Sequence, residues 1–450
     1  MDTRKGLFIL LALCLLLAVR INSVALAFDY PWTIKRTIST GMEGTRFSTT
    51  MLSSNEFPGI SYLKSDGSIS LCKIIGKLAP SCYSTNSSSL SIVASTLSQV
   101  QTHSYPDTFV AKWAYQPNFS DSIYIHWVEL MNNTMALVDS GDVHLFNLLS
   151  GETIVGPIAL ALDTGGNPHA AVVLHHTDYD RLVYIYDTDT SNTSCGFDSK
   201  YQCDRISVVA SPNTLSTPNI VLTSTGTPRI TYILDYGTNV VMSYAYPQSG
   251  AAYDPNCGPG NNTWRCVSLF YNLNANTRMD LAMGTTQPHV VCTYPSAMGD
   301  HPMIISYAHR VGFLGADCIM DWVSNPFTST VVYANTWKCD YAFATLSPSQ
   351  VAPSVSLDVT SQNEPVIAYQ VCDADYCGLH VRSGNSAGEL IWIKDVIVDQ
   401  GGPTNFGRGA SLTLNNRDLG FIGYLEDMDT EANLKTAQQL YALYLPLTLR

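Results

Sequence analysis

The stretch "IALALDTGGNPHAAVVLHH", Ile158 to His176, is an apolar run, a Gly-Gly-Asn-Pro corner and a second apolar run. The same plan returns as "NIVLTSTGTPRITYILDYG" (Asn219 to Gly237), "DLAMGTTQPHVVCTYPSAMG" (Asp280 to Gly299) and "SVSLDVTSQNEPVIAYQVCDAD" (Ser354 to Asp375). A chain made of copies of one short unit must bury each copy against the next, so this repeat constrains the fold more than any single motif can. Anchored on the proline of the corner, the units fall at Pro58, Pro106, Pro168, Pro228, Pro288 and Pro365, with Gly420 in the proline's place in "NNRDLGFIGY". The steps between them are 48, 62, 60, 60, 77 and 55 residues. The unit at Pro106 is the faintest, but the gap from Pro58 to Pro168 suits two units and is too long for one. The count is seven.

Each unit expands in one order: strand 1 ("IALALD"), the corner, strand 2 ("HAAVVLHH"), an acidic loop, strand 3 ("RLVYIYD"), a loop that often carries a cysteine pair, and strand 4 ("RISVVAS"). Strands rich in Val, Ile, Thr and Tyr, punctuated by Gly, Pro, Asn and Ser, make the class all-β. Four antiparallel strands at a period near 60 residues predict the blades of a seven-bladed β-propeller. One segment is out of step. "YPWTIKRTIST", Tyr30 to Thr40, looks like a strand 4 with nothing before it, while the last unit runs out after its third strand, "LKTAQQLYALYLP". The N-terminal strand is therefore expected to complete the last blade, Trp32 to Ser39 pairing as the outer strand of the blade that contains Leu434 to Leu445, and so to hide two sheet edges.

The elements "IALALDTGGNPH", "VVMSYAYP", "MIISYAHR", "NTWRCVSLF" and "ELIWIKDVIVD" resemble the blades of the extracellular β-propellers of the sialidase-like superfamily in the broad sense. The resemblance covers most of residues 28–450 and implies the propeller fold. It implies no activity, because such repeats serve enzymes, lectins and assembly scaffolds alike.

Residues 1–27 read as a signal peptide: Arg4 and Lys5, the apolar "GLFILLALCLLLAV", then Ala25 and Ala27 before Phe28. Residues 28–450 are then one secreted propeller domain, with no later apolar run of the roughly 18 residues that a membrane span needs. Loss of the leader moves the net charge from -13 to -15, and such a chain repels phosphate backbones, which excludes nucleic acid as an expected partner. Ten cysteines form close pairs, Cys72/Cys82, Cys195/Cys203, Cys257/Cys266, Cys318/Cys339 and Cys372/Cys377, a spacing that fits hairpin staples in an oxidising compartment and lacks the CxxC of zinc sites. Cys292, in the apolar "PHVVCTYP", is expected to be a buried free thiol.

"GNSAG", Gly384 to Gly388, matches the G-x-S-x-G nucleophile elbow, but strand-like sequence on both sides makes it a hairpin loop between strands 3 and 4. A sialidase-type glycosidase would need grouped arginines, a tyrosine nucleophile and an acid. No Asp-box is present, and Arg181, Arg229, Arg278, Arg310 and Arg382 carry no signature that groups them. His169 and His289 share one repeat position, directly after the corner proline, and are expected to satisfy the turn rather than to catalyse; Asp163 and Asp358, closing strand 1, are expected to accept from corner amides.

The functional lead is the set of acidic loops between strands 2 and 3: Asp178, Asp180, Asp235, Asp300, Asp373, Asp375, Glu426, Asp427 and Asp429. In a four-stranded antiparallel blade these loops all emerge on one face of the disc. That face is expected to hold a cation, Ca²⁺ by preference for oxygen ligands, or a basic partner. Asn86, Asn118, Asn132, Asn192 and Asn261 each open an N-x-[ST] sequon, and Asn86, Asn192 and Asn261 lie in loops of the opposite face. The expected function is an extracellular binding or adhesion module for a glycan or protein ligand, with no cofactor required. The alternatives are a glycoside hydrolase or lyase working in the central pocket and a structural component of an extracellular assembly.

Overall fold

The computed structural model describes residues 32–439 apart from connecting segments, the longest of them residues 311–336. The leader, Asp300, Asp373, Asp429, Cys318, Asn86, Asn132, Asn192 and Asn261 lie outside the described residues, as does the side chain of Asp427. Seven antiparallel sheets follow one another round a ring. The third shows the plan: Ala159–Leu162, Pro168–His175, Tyr179–Asp187 and Tyr201–Ala210 pair in sequence order, and the two-residue strand Thr153–Ile154 adds to the far end of Pro168–His175. The faint second unit is also a full blade, Gln101–Ser104, Thr108–Tyr115, Ser122–Met131 and Leu137–Asn147. Among the described residues no helix is long and apolar enough to cross a membrane.

The ring closes as the sequence predicts. Trp32–Met42 pairs antiparallel with Glu431–Gln439, Trp32 opposite Gln439 and Ser39 opposite Leu434, as the outer strand of a blade whose other members are Gly420–Met428 and Arg408–Leu414. Gly420, where the other corners have proline, lies against this strand: a Cβ there would come 2.5 Å from Cη2 of Trp32. Its amide donates to Oε1 of Gln439 at 2.9 Å.

The repeat positions translate into core positions. Tyr62, Tyr232, Cys292, Tyr369 and Tyr424, four residues after the corner residue, are all buried. Burial pushes the free Cys292 thiol well above its ordinary pKa. Between blades, the tryptophan that opens a strand 4 packs edge-on against a strand-3 tyrosine of the preceding blade: Trp264 on Tyr184 at 5.5 Å, Trp337 on Tyr244 at 4.9 Å and Trp392 on Tyr307 at 5.6 Å between centroids. Edge-to-face geometry at these distances adds a favourable quadrupole term to the buried area, and it fixes the angle between neighbouring blades. Disulfides Cys72–Cys82, Cys195–Cys203, Cys257–Cys266 and Cys372–Cys377 are formed. Cys339 is also disulfide-bonded.

Candidate functional site

The strand order of the described blades puts the loops between strands 2 and 3 on one face, but several of their carboxylates have partners within the fold. Asp180 is buried; its Oδ1 lies 2.5 Å from Nδ1 of His175, and its Oδ2 accepts from the amide of Leu215 at 2.8 Å. It therefore anchors strand 1 of the next blade, Thr214–Leu222. Asp235 accepts from the amide of Gly237 at 2.7 Å and shapes its turn, while Glu426 takes Nζ of Lys435 at 3.0 Å. Asp178 and Asp375 are exposed, Asp178 with Oδ2 3.6 Å from Nδ1 of His176 and Asp375 inside the Cys372–Cys377 staple. Among the described residues no group of three or more His, Cys, Asp or Glu side chains could hold a metal ion. Asn118 is exposed on this same face, beside Phe119, whose fully exposed ring is carried on a left-handed backbone (φ 61°).

The opposite face carries the corners and the loops between strands 3 and 4. On it a cleft of about 340 Å³ opens between the corners of the fifth, sixth and seventh blades, lined by residues that include Thr285, Asp358, Ser361, Asn415 and Asp418. Carboxylates in and beside it hold blades together. Asp280 accepts from the amides of Leu281 and Leu357, from Oγ of Ser356 and from Nδ2 of Asn219, and so spans three blades. Asp358 accepts from its neighbour Val359 and from Leu414 of the next blade at 2.7 Å, and Asp418 takes both the amide and the hydroxyl of Ser361. Burial, with the charges of Asp280 and Asp418 adding to it and two amide bonds opposing, pushes Asp358 up to about 7. Asp163 behaves as its sequence position suggests, accepting from the amides of Gly165 and Asn167. Asp358 differs, because its second acceptor serves the next blade rather than its own corner.

The recurrent histidines depart from expectation. Nδ1 of His169 meets the hydroxyl of Tyr184 and Nδ1 of His289 that of Tyr307, each at 2.5 Å, so their first partner is the neighbouring strand, while His169 keeps a link to its corner through Asp163, whose Oδ2 lies 3.8 Å from Nε2. The reason is register: the residue after the corner lies opposite the end of strand 3, His169 facing Tyr186 and His289 facing His309, which brings the ring over the tyrosine two residues earlier. Burial holds His289 neutral, with its pKa down to about 3.

Arg229 fills this position in the fourth blade, beside Tyr244 and Tyr246, with its guanidinium carbon 5.6 Å from the centroid of the Tyr246 ring. Three consecutive blade junctions on the corner face thus repeat one constellation. A His or Arg follows the corner, an inner Tyr lies beneath it, a second ring (Tyr186, Tyr246 or His309) lies nearer the rim, and a Trp of the next blade closes the side. Tyr186, Tyr246, Arg229 and Trp392 are each half-buried. An amphipathic ring with one edge packed and one edge wet, next to a hydrogen-bond donor, is suited to stacking against a polar ring and holding its hydroxyls.

A scan against protein-family models and a search of the curated proteins find no match. Among solved structures the chain is similar to the BP39L lectin from Burkholderia pseudomallei, with 10% identity over 87% of this chain and 94% of the lectin and a TM-score of 0.50. It is also similar to the polysaccharide lyase Uly1 (9% identity, 92% of each chain, TM-score 0.46) and to an α-L-arabinanase from Penicillium chrysogenum complexed with arabinobiose (11% identity, 77% of this chain and 94% of that one, TM-score 0.40). At such identities the likeness to the lectin speaks for the fold alone.

Proposed function

We propose that the protein is an extracellular carbohydrate-binding module that holds saccharide rings in the grooves between the third and sixth blades, on the corner face. The observation that carries this reading is one aromatic constellation at three consecutive junctions, each with a half-buried ring (Tyr186, Tyr246 or Trp392), the middle one with the half-buried Arg229 as a donor. Repetition of one shallow site suits multivalent binding, in which several weak contacts to one polymer add up to avidity. A single active site would not need it. The fold does not choose between binding and catalysis, since a lectin and a polysaccharide lyase are both among its structural neighbours.

Glycan-array binding by the secreted protein tests the proposal, with Tyr186→Ala and Tyr246→Ala as the decisive variants. Each is expected to weaken binding while leaving the far-ultraviolet spectrum and melting temperature near those of the parent. Retention of full binding in the double variant, or its loss on substitution of Asp178 and Asp375 instead, would move the site to the acidic face and refute the reading. Hydrolysis or lysis is the second reading, resting on Asp358, a carboxyl that keeps its proton near neutrality in the cleft between three blade corners. Asp358→Asn would abolish such an activity and leave binding in the grooves intact.

A further inference from the structure

Arg229 and Arg310 come from different blades and converge on one ring. Their guanidinium carbons lie 5.6 and 5.1 Å from the centroid of Tyr246, and Arg265 stands opposite Tyr246 in the adjoining strand. In a chain with 37 acidic residues against 24 basic ones, a cation is expected to find a carboxylate easily. Among the described residues neither Arg229 nor Arg310 has one. Arg229 donates from Nη1 to the carbonyl of its neighbour Pro228 at 2.9 Å, its Nε is buried without a partner, and its guanidinium lies against the buried hydroxyl of Tyr244, a neutral group. Elsewhere the same residue type is paired, as in Arg181, whose Nε and Nη2 grip the two oxygens of Glu152 at 2.7 and 2.8 Å. Two half-buried guanidiniums near one ring repel each other, the ring offsets part of that repulsion, and an anion entering between them would relieve the rest.

We infer that the groove between the fourth and fifth blades takes a saccharide that carries an anionic group, a carboxylate or a sulfate, held by Arg229 and Arg310 with its ring against Tyr246. This inference rests on the carbohydrate-binding reading above and names its ligand class. A guanidinium presents paired donors that match two oxygens of either group, which makes Arg the side chain of choice for such recognition. The equivalent grooves on either side offer His169 and His289 in place of Arg229, and burial holds both below the usual histidine pKa. The charge preference should therefore belong to this groove alone.

Calorimetry on the full-length secreted protein tests it with four probes: a polyuronate oligosaccharide, its methyl ester, a sulfated galactan oligosaccharide and the same oligosaccharide desulfated. At least one acidic probe is expected to bind about tenfold or more tightly than its uncharged form, with an affinity that falls as salt is raised. Comparing the two acidic probes tells carboxylate from sulfate. Arg310→Gln should remove that advantage and Arg310→Lys should restore part of it; Arg229→Gln, which could disturb packing over Tyr244, is judged beside its melting temperature. Equal binding of charged and uncharged probes, or an unchanged advantage in Arg310→Gln, overturns this inference and leaves the broader reading standing. If no saccharide of either kind binds, both fall.

Discussion

Gly420→Ala tests the closure of the ring at a single atom. The added methyl would lie 2.5 Å from Cη2 and 3.0 Å from Cζ2 of Trp32, and 3.3 Å from Oε1 of Gln439. Carbon atoms pack best at roughly 3.5 to 4.0 Å, so the first contact is short by about 1 Å. The indole cannot give way freely, because it is 8% exposed and packs in one cluster with Val366, Ala368 and Val381 of the preceding blade. Overpacking of this kind costs about 1 to 3 kcal/mol, offset by roughly 0.4 to 1 kcal/mol from the reduced freedom of the unfolded chain. The net loss is expected to be on the order of 1 to 2 kcal/mol. Trp32→Phe removes the benzo ring that makes the clash and leaves room that the new methyl can fill. The double variant should therefore be no less stable than Trp32→Phe alone, a coupling of about 1 kcal/mol or more. A chain of this size need not unfold in one step, so the readout is hydrogen exchange across Trp32–Met42, where the outer strand opens first. In Gly420→Ala these amides should exchange roughly tenfold faster, a factor that corresponds to about 1.4 kcal/mol. Costs that simply add in the double variant, or unchanged exchange in Gly420→Ala, would show that Trp32 does not sit over Gly420.

Three further outcomes are expected. Glu152→Ala leaves Arg181 half-buried and uncompensated and should destabilise the protein by about 3 to 5 kcal/mol in thermal or denaturant unfolding, whereas Lys35→Ala, at the exposed end of its pair with Asp399, should cost less than about 1 kcal/mol. Asp358, raised from 3.8 to about 7, holds a proton in the folded state that the unfolded chain releases. Stability should therefore fall as pH rises through that window, by at most about 4 kcal/mol before screening by solvent reduces it, and Asp358→Asn should flatten the slope in denaturant titrations across it. Finally, maleimide should label Cys292 only after unfolding, and peptide mapping without reductant should show Cys72–Cys82, Cys195–Cys203, Cys257–Cys266 and Cys372–Cys377 intact; rapid labelling of the folded protein would contradict the buried thiol.

What could be read in the chain and what could not divides along one physical line. The blade count, the closing strand and the cysteine pairs depend on contacts within a unit, and a unit of near 60 residues repeats its corners, its Pro-to-Tyr spacing and its staples often enough to be seen. Cys292 fits the same logic, because it occupies the tyrosine's core position and is buried as the tyrosines are. Contacts between units follow from the rotation of one blade against the next, which no local pattern encodes. Asp280 bonding to Asn219 and Leu357, and Arg229 meeting Arg310 over Tyr246, each join different blades and have no signature of spacing. His169 and His289 lie between these cases. Their recurrence was visible, and so was a tyrosine 15 or 18 residues further on, followed after one residue by a second ring: Tyr184 and Tyr186, Tyr307 and His309. Taken together these two repeats mark a cross-strand pair, and the same pairing places Arg229 beside Tyr244 and Tyr246. The groove was therefore half legible. Its inner wall belongs to one blade and repeats; its outer wall, the edge-on Trp and Arg310, comes from the next blade and appears only when the ring is assembled.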